Sequence, residues 1–293
     1  MDGAIVVDKP EQWTSHDVVN RMRRLANMKR VGHLGTLDPL ATGVLPLVIG
    51  RATRLSQFLM KGDKEYEGAV RFGYSTTTYD RAGEPSSTPV EPCLERDAVE
   101  RMLQGFVGKV LQTPPPVSAK KIGGTPAYKL VRKSVAVELA PVEVTVYEIE
   151  LTGWNPPDVA LRVKCAAGTY LRSIAHDLGQ LVGCGAFLQR LRRLASSGFT
   201  SSQARTLEEL AELSREGRLA EALIPAVELL PEFPSEVVDP ITAGFIRQGR
   251  DFRVSPFRAR TGSRFVKAVT REGELIAIGE VRLPNLYHPI LVL

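Results

Sequence analysis

Hydrophobic positions along the chain mark out short strands and amphipathic helices in mixed order. Gly3 to Asp8 is a short apolar strand stopped by Lys9-Pro10, and the run Val44 to Ile49 reads as a buried strand. Tyr66, Gly68, Val70 and Phe72 alternate as one face of a strand does, with Tyr66 on the inward side. Val142 to Leu151 and Val159 to Ala166 are further strands, and Phe187, Leu188, Leu191 and Leu194 surround the cations Arg190, Arg192 and Arg193 in a basic strand or loop. Helical spacing appears at Val18, Val19, Met22 and Leu25, where Thr14 and Asp17 resemble a capping box. It recurs at Ala52 to Leu59, at Leu94 to Phe106, from a Thr169 cap to about Val182, and over 206–224. A linker is expected at Leu230-Pro231-Glu232-Phe233-Pro234. Beyond it, a short helix near Asp239 to Gln248 precedes strands at Arg264 to Thr270, Glu274 to Val281 and His288 to Leu293, a pattern that suggests a small β-barrel.

Composition narrows the class more than the function. A chain of 293 residues with 43% hydrophobic content can build one large and one small globular domain. Lys and Arg exceed Asp and Glu by 38 to 33, a mildly basic balance that favours an anionic partner. Cys93, Cys165 and Cys184 are far apart and form no CxxC pair, so neither a zinc site nor a disulfide framework is indicated and a reducing compartment fits best. The short apolar run Ala4 to Val7 does not make a secretory signal, and no stretch approaches membrane-spanning length, so a cytoplasmic protein without membrane contact is expected.

The chemistry concentrates in Gly32-His33-Leu34-Gly35-Thr36-Leu37-Asp38-Pro39-Leu40-Ala41-Thr42-Gly43-Val44-Leu45. Glycines at 32, 35 and 43 allow unusual backbone conformations or close approaches, and Pro39 restricts Asp38 to extended geometry. An Asp-Pro pair alone is commonly no more than the start of a turn or helix. Basic residues gather before this loop (Arg21, Arg24, Lys29, Arg30) and around Gly123-Gly124, where Lys120, Lys121, Lys129, Arg132 and Lys133 follow a triple proline. From charge alone the first group reads as an ordinary solvated helix face, and the second equally as a solvated loop or a phosphate-contacting arm.

The fourteen-residue string as a whole resembles the catalytic motif of the TruB family of tRNA pseudouridine synthases. Asp8-Lys9-Pro10 with Thr14-Ser15-His16-Asp17 resembles that family's opening motif, Lys64-Glu65-Tyr66 its tyrosine strand, and Gly168-Thr169-Tyr170-Leu171-Arg172 its arginine motif, all in family order. The resemblance implies an α+β protein: a catalytic domain over 1–232 with a mixed, largely antiparallel sheet and a central cleft, then a PUA-type RNA-binding domain over 233–293. It implies isomerisation of uridine to pseudouridine at position 55 in the T loop of tRNA, by a monomer acting alone and without cofactor or metal.

Within that resemblance Asp38 is the catalytic carboxylate, Arg172 its ion-pair partner, and Tyr66 stacks on the target base and is a candidate to accept the C5 proton. The uridine must leave its stack to be reached. His33 would fill the vacated space and Tyr170 would line the pocket, with Lys9, Lys121, Arg132 and Arg193 as candidate RNA contacts. Burial against a base would tend to neutralise Asp38, which is why an arginine partner is expected. Gln12, Val117 and Val131 depart from the family pattern outside this constellation. Two rivals remain: a guide-dependent synthase of the related branch, and a non-catalytic tRNA chaperone, which would need a basic surface but not an intact Asp38, Tyr66 and Arg172 set.

Overall fold

The structure is a computed structural model, and it describes residues 1–118, 120–122, 125–126, 139–255 and 263–293. Arg132 and most of the basic Gly123-Gly124 segment lie outside the described residues. In chain order the strands are β1 (Gly3–Lys9), β2 (Val31–His33), β3 (Ala41–Ile49), β4 (Lys64–Phe72), β5 (Gly108–Gln112), β6 (Lys121–Ile122), β7 (Thr125–Pro126), β8 (Val142–Asn155), β9 (Asp158–Cys165), β10 (Ala186–Ser196), β11 (Phe199–Thr200) and β12 (Ile224–Pro225). Then follow β13 (Ser235–Val237), β14 (Phe252–Arg253), β15 (Phe265–Val269), β16 (Leu275–Leu283) and β17 (Leu286–Val292). The α-helices among the described residues are α1 (Ser15–Leu25), α2 (Ser56–Leu59), α3 (Arg96–Gln104), α4 (Leu171–Val182), α5 (Leu207–Arg215) and α6 (Pro240–Arg247).

Ten strands form one sheet in the order β12-β1-β3-β10-β4-β9-β8-β5, with β2 on β3 and β11 on β10. Its described pairings are antiparallel except at the centre, where β3 and β10 run parallel. The fold is therefore the expected mixed, largely antiparallel α+β arrangement. Strand alternation gives the sheet two different faces. Ile5, Val7, Leu45, Leu47, Tyr66 and Val70 pack with apolar residues of α1, α3, α4 and α5. On the opposite face Ala4, Val6, Val44 and Val48 pack against α2 and the carboxy-terminal strands. Those strands make a curled, five-stranded half-barrel in the order β13-β15-β16-β17-β14.

Local chemistry explains most element boundaries. Thr14 and Asp17 form the expected capping box at α1. The apolar stretch after Ile49 is split into a 3-10 turn (Gly50–Leu55) and the single turn of α2. The helix expected over 206–224 ends at Arg215, because Gly217 takes a left-handed conformation, and a 3-10 turn resumes at Leu219. At α4 the cap differs from the expectation. Thr169 spends its hydroxyl on the Ala166 carbonyl, and Tyr170 occupies the cap position without a side-chain bond. Gln112 supplies the missing order, accepting from the Tyr170 amide at 2.8 Å and donating to its carbonyl at 3.1 Å.

Candidate functional site

One row of paired residues runs across the centre of the sheet. Lys9 on β1 faces Gly43 on β3, Gly43 faces Arg193 on β10, Arg193 faces Tyr66 on β4, and Tyr66 faces Val163 on β9. Side chains in such a row share a face, here the helix-covered one. The loop from Leu34 to Leu40 lies on this row, so its polar backbone needs buried partners. Two cations and a hydroxyl supply them. Arg193, only 1% exposed, donates from Nε to the Val44 carbonyl at 2.7 Å, from Nη2 to Gly35 at 3.2 Å and from Nη1 to Thr36 at 3.4 Å. Lys9 is fully buried and donates to the carbonyls of Trp13 (2.6 Å), Pro10 (2.9 Å) and Pro39 (3.3 Å). Ser15 on α1 both donates to the Leu37 carbonyl (3.1 Å) and accepts from the Leu37 amide (2.8 Å).

This framework pins the backbone on either side of Asp38, at Leu37 and Pro39, while leaving its carboxylate 35% exposed. Arg172, in the first turn of α4 and 4% exposed, places Nε 2.9 Å from Asp38 Oδ2, although the Nε–H does not point along that line. The same guanidinium donates from Nη1 to the Thr78 carbonyl (3.1 Å) and from Nη2 to the Val117 carbonyl (3.0 Å). Nη1 also lies 3.6 Å from Oδ2 of Asp80, itself buried. Asp80 is fixed in turn by the Thr78 hydroxyl (2.6 Å) and the Ala82 amide (3.0 Å), both on Oδ1. One buried cation thus stands between two carboxylates, one of them open to solvent.

The other expected residues take distinct places. Tyr66 is 8% exposed, and burial pushes its phenol above its ordinary pKa while the neighbouring Arg193 opposes that shift. Tyr170 is half-buried, with its phenol also pushed up by burial. His33 pairs with Leu47, and burial together with Arg193 and His16 lowers its pKa, so the neutral ring is favoured. Lys121 stands on the two-residue strand β6, opposite Pro126. Lys9 and Arg193, read from sequence as candidate RNA contacts, point into the protein and hold loop backbone. Arg192 forms an ion pair with Asp8 at 2.8 Å, which leaves Arg190 exposed in that segment.

Sequence reasoning missed Asp80, Gln112 and Ser15. Asp80 sits in the polar run 76–83, where three consecutive threonines and an aspartate signal only a turn. Its meeting with Arg172, 92 positions on, is a product of tertiary structure. Among the described residues no group of His, Cys, Asp and Glu is arranged to hold a metal ion.

Comparison with known proteins identifies the family. The model for TruB family pseudouridylate synthase (N terminal domain) matches residues 23–171, and that for tRNA pseudouridylate synthase B C-terminal domain matches 172–231. The chain is 62% identical over its full length to the full-length tRNA pseudouridine synthase B of Solibacter usitatus (strain Ellin6076). It is 39% identical to that of Aquifex aeolicus (strain VF5), over 96% of each chain. Among solved structures, a Cbf5-Nop10-Gar1 complex contains a chain that superposes with a TM-score of 0.72 and 26% identity, over 97% of this chain and 79% of that one. With whole-length identity to curated relatives and a family model spanning the Asp38 loop, the chain belongs to the TruB family of pseudouridine synthases and is an isomerase.

Proposed function

We propose that the protein converts the uridine at position 55 of tRNA, in the T loop, to pseudouridine, acting alone with Asp38 as its catalytic carboxylate. The observation that carries this reading is the solvent-facing Asp38 carboxylate on a loop pinned by Lys9, Ser15 and Arg193, in contact with the buried Arg172. The reaction breaks the bond from ribose C1′ to uracil N1, turns the base, and rejoins it through C5. No redox change or hydrolysis occurs, so the chemistry calls for no cofactor or metal. Asp38 engages C1′ or the ribose, and Arg172, with Nε 2.9 Å from Oδ2, holds the carboxylate in place.

The target nucleotide flips into the cleft, at a cost of a few kcal/mol. Tyr66 then stacks on the base, Tyr170 lines the pocket and His33 fills the gap left in the loop. Phosphates are met by exposed cations, among them Arg24, Lys29, Arg30, Lys120 and Arg190. A PUA-like domain over 233–293 adds RNA contacts. The tRNA substrate is supported by the names of the curated relatives, tRNA pseudouridine synthase B, and a cytoplasmic location is the reading that goes with it.

The test is to incubate the purified protein with an unmodified tRNA transcript or an isolated T-arm hairpin and to map pseudouridine. Both RNAs should react at the equivalent uridine without added protein or guide RNA. Asp38→Asn should lose activity by a factor of 1,000 or more while binding tRNA within about threefold, since an amide keeps the shape but not the charge. Turnover by a homogeneous Asp38→Asn preparation would remove Asp38 from the chemistry, and a requirement for a guide RNA would overturn the stand-alone reading.

A further inference from the structure

Tyr79 holds a conformation that costs most residues: its φ is +62°, in the left-handed region that glycine or asparagine ordinarily occupies. Its neighbours on both sides are partners of Arg172. The Thr78 carbonyl accepts from Nη1, and Asp80 lies 3.6 Å from the same nitrogen. The turn is tied to β10, with the Leu188 amide donating to the Tyr79 carbonyl and the Arg81 amide to the Leu188 carbonyl. The Tyr79 ring stacks face to face on His176, with centroids 3.8 Å apart and planes 7° from parallel.

His176 lies four residues after Arg172 on α4, so the two side chains sit one above the other on one helix face. Among the described residues its buried Nδ1 has no hydrogen-bond partner, and the stacked Tyr79 ring is a specific contact to this imidazole. The same helix face therefore reaches the 76–82 turn twice, through the guanidinium and through the stacked ring. A turn that carried glycine at 79 would adopt the backbone easily and keep its backbone bonds to β10, but on the α4 side it would have the Arg172 contacts without the stacked ring.

We infer that Tyr79 and His176 are a positioning pair for the reaction. Their stack locks the strained turn against α4, which sets the Thr78 carbonyl and Asp80 where they aim Arg172 at Asp38. The inference rests on the assignment of Asp38 and Arg172 to the site proposed above. Tyr79 acts through Arg172 and touches no reacting atom.

The experiment combines kinetics with an observable that does not depend on turnover, the 15N–1H resonance of the Arg172 Nε–H. Tyr79→Gly relieves the backbone cost but deletes the ring, so a merely structural Tyr79 would leave it neutral or improved. The inference expects kcat to fall at least tenfold with KM within twofold, and the Arg172 resonance to move. Tyr79→Phe and His176→Phe, which keep a stacked ring, should retain kcat within about threefold. His176→Ala should match Tyr79→Gly, and the double variant should be no slower than either single one. Wild-type kcat in Tyr79→Gly, an unmoved Arg172 resonance, or losses that multiply in the double variant would each overturn it. Should Tyr79→Gly fail to fold by thermal melting, His176→Ala against His176→Phe decides the same question. If the wild type makes no pseudouridine, the proposed function fails while the resonance still reports whether the stack positions Arg172.

Discussion

Lys9 shows how a residue can be legible in sequence and take a different place in the molecule. In an Asp-Lys-Pro motif beside a basic helix it invites assignment to RNA, yet its ammonium is buried and satisfied by three carbonyls, one of them from Pro39 next to Asp38. Burial lowers its pKa from the ordinary 10.5 to about 8, opposed by Asp38 and reinforced by Arg193. The sign of the consequence follows from proton counting. Below pH 8 Lys9 is charged in both folded and unfolded chains, and the full cost of burying the charge is present. Between about pH 8 and 10.5 the folded chain binds fewer protons than the unfolded one, so this group's contribution to stability rises with pH. Urea unfolding of the wild type and Lys9→Met from pH 7 to 10.5 should therefore show the wild type gaining on the variant above pH 8. A difference that stays flat over that range would mean that Lys9 titrates alike in both states. Other single residues were out of reach of sequence for a different reason. Asp80 and Gln112 act through partners that only the fold brings close, Arg172 and the Tyr170 backbone, and nothing local distinguishes them from any turn aspartate or strand glutamine.

At the level of elements, strong patterns were read correctly and weak ones were not. The capping box and the apolar spacing of α1, the alternation of β4 and β9, and the apolar run of β3 all mark their elements because each buries one face in the main core. The edge strand β5 has too little signal, since Leu111 points to solvent and the strand is defined by its pairing to β8. The glycines of the Asp38 loop divide in the same way. Gly43 has φ +99°, and a Cβ there would overlap the Arg193 carbonyl oxygen on the parallel strand. Gly32 has ordinary strand geometry, and its nearest neighbour would lie 3.9 Å from a new Cβ. Gly43→Ala should cost about 2 to 4 kcal/mol, combining left-handed strain with overpacking, and should reduce activity by displacing the loop. Gly32→Ala should be neutral or stabilise by up to about 1 kcal/mol, because alanine loses less entropy in a strand. Unfolding midpoints of the two variants compare them directly, and equal costs would refute the assignment of the close approach to Gly43.

Across the whole molecule, the position of the motifs suggests a catalytic portion that ends before Pro234 and a separable tail. The packing makes the tail part of the same stability unit. Val269, Leu275, Ile278 and Leu291 from the half-barrel share one buried cluster with Ala4, Val6, Val48, Leu55 and Leu59 from the other side of the boundary. Phe58, Phe233 and Phe265 form a three-ring contact across it, with centroids 5.1 to 5.6 Å apart. Polar ties add direction: Lys267 donates to the Val227 and Leu229 carbonyls, and Arg51 pairs with Asp2 at 2.8 Å and with Glu274 at 3.0 Å. The surface ion pairs contribute about 1 kcal/mol at most. The four buried aliphatic side chains contribute about 1.5 to 3 kcal/mol each, which together rivals the 5–15 kcal/mol net stability of a typical domain. A chain ending at Glu232 should therefore melt well below the full-length protein, bind a dye specific for exposed apolar surface, and lose the chemical step along with RNA affinity. Binding and chemistry would then have to be separated by exposed substitutions such as Arg250→Ala rather than by truncation. A truncated chain with full-length melting temperature and intact single-turnover rate at saturating RNA would show that the shared apolar cluster adds no stability to the Asp38 site.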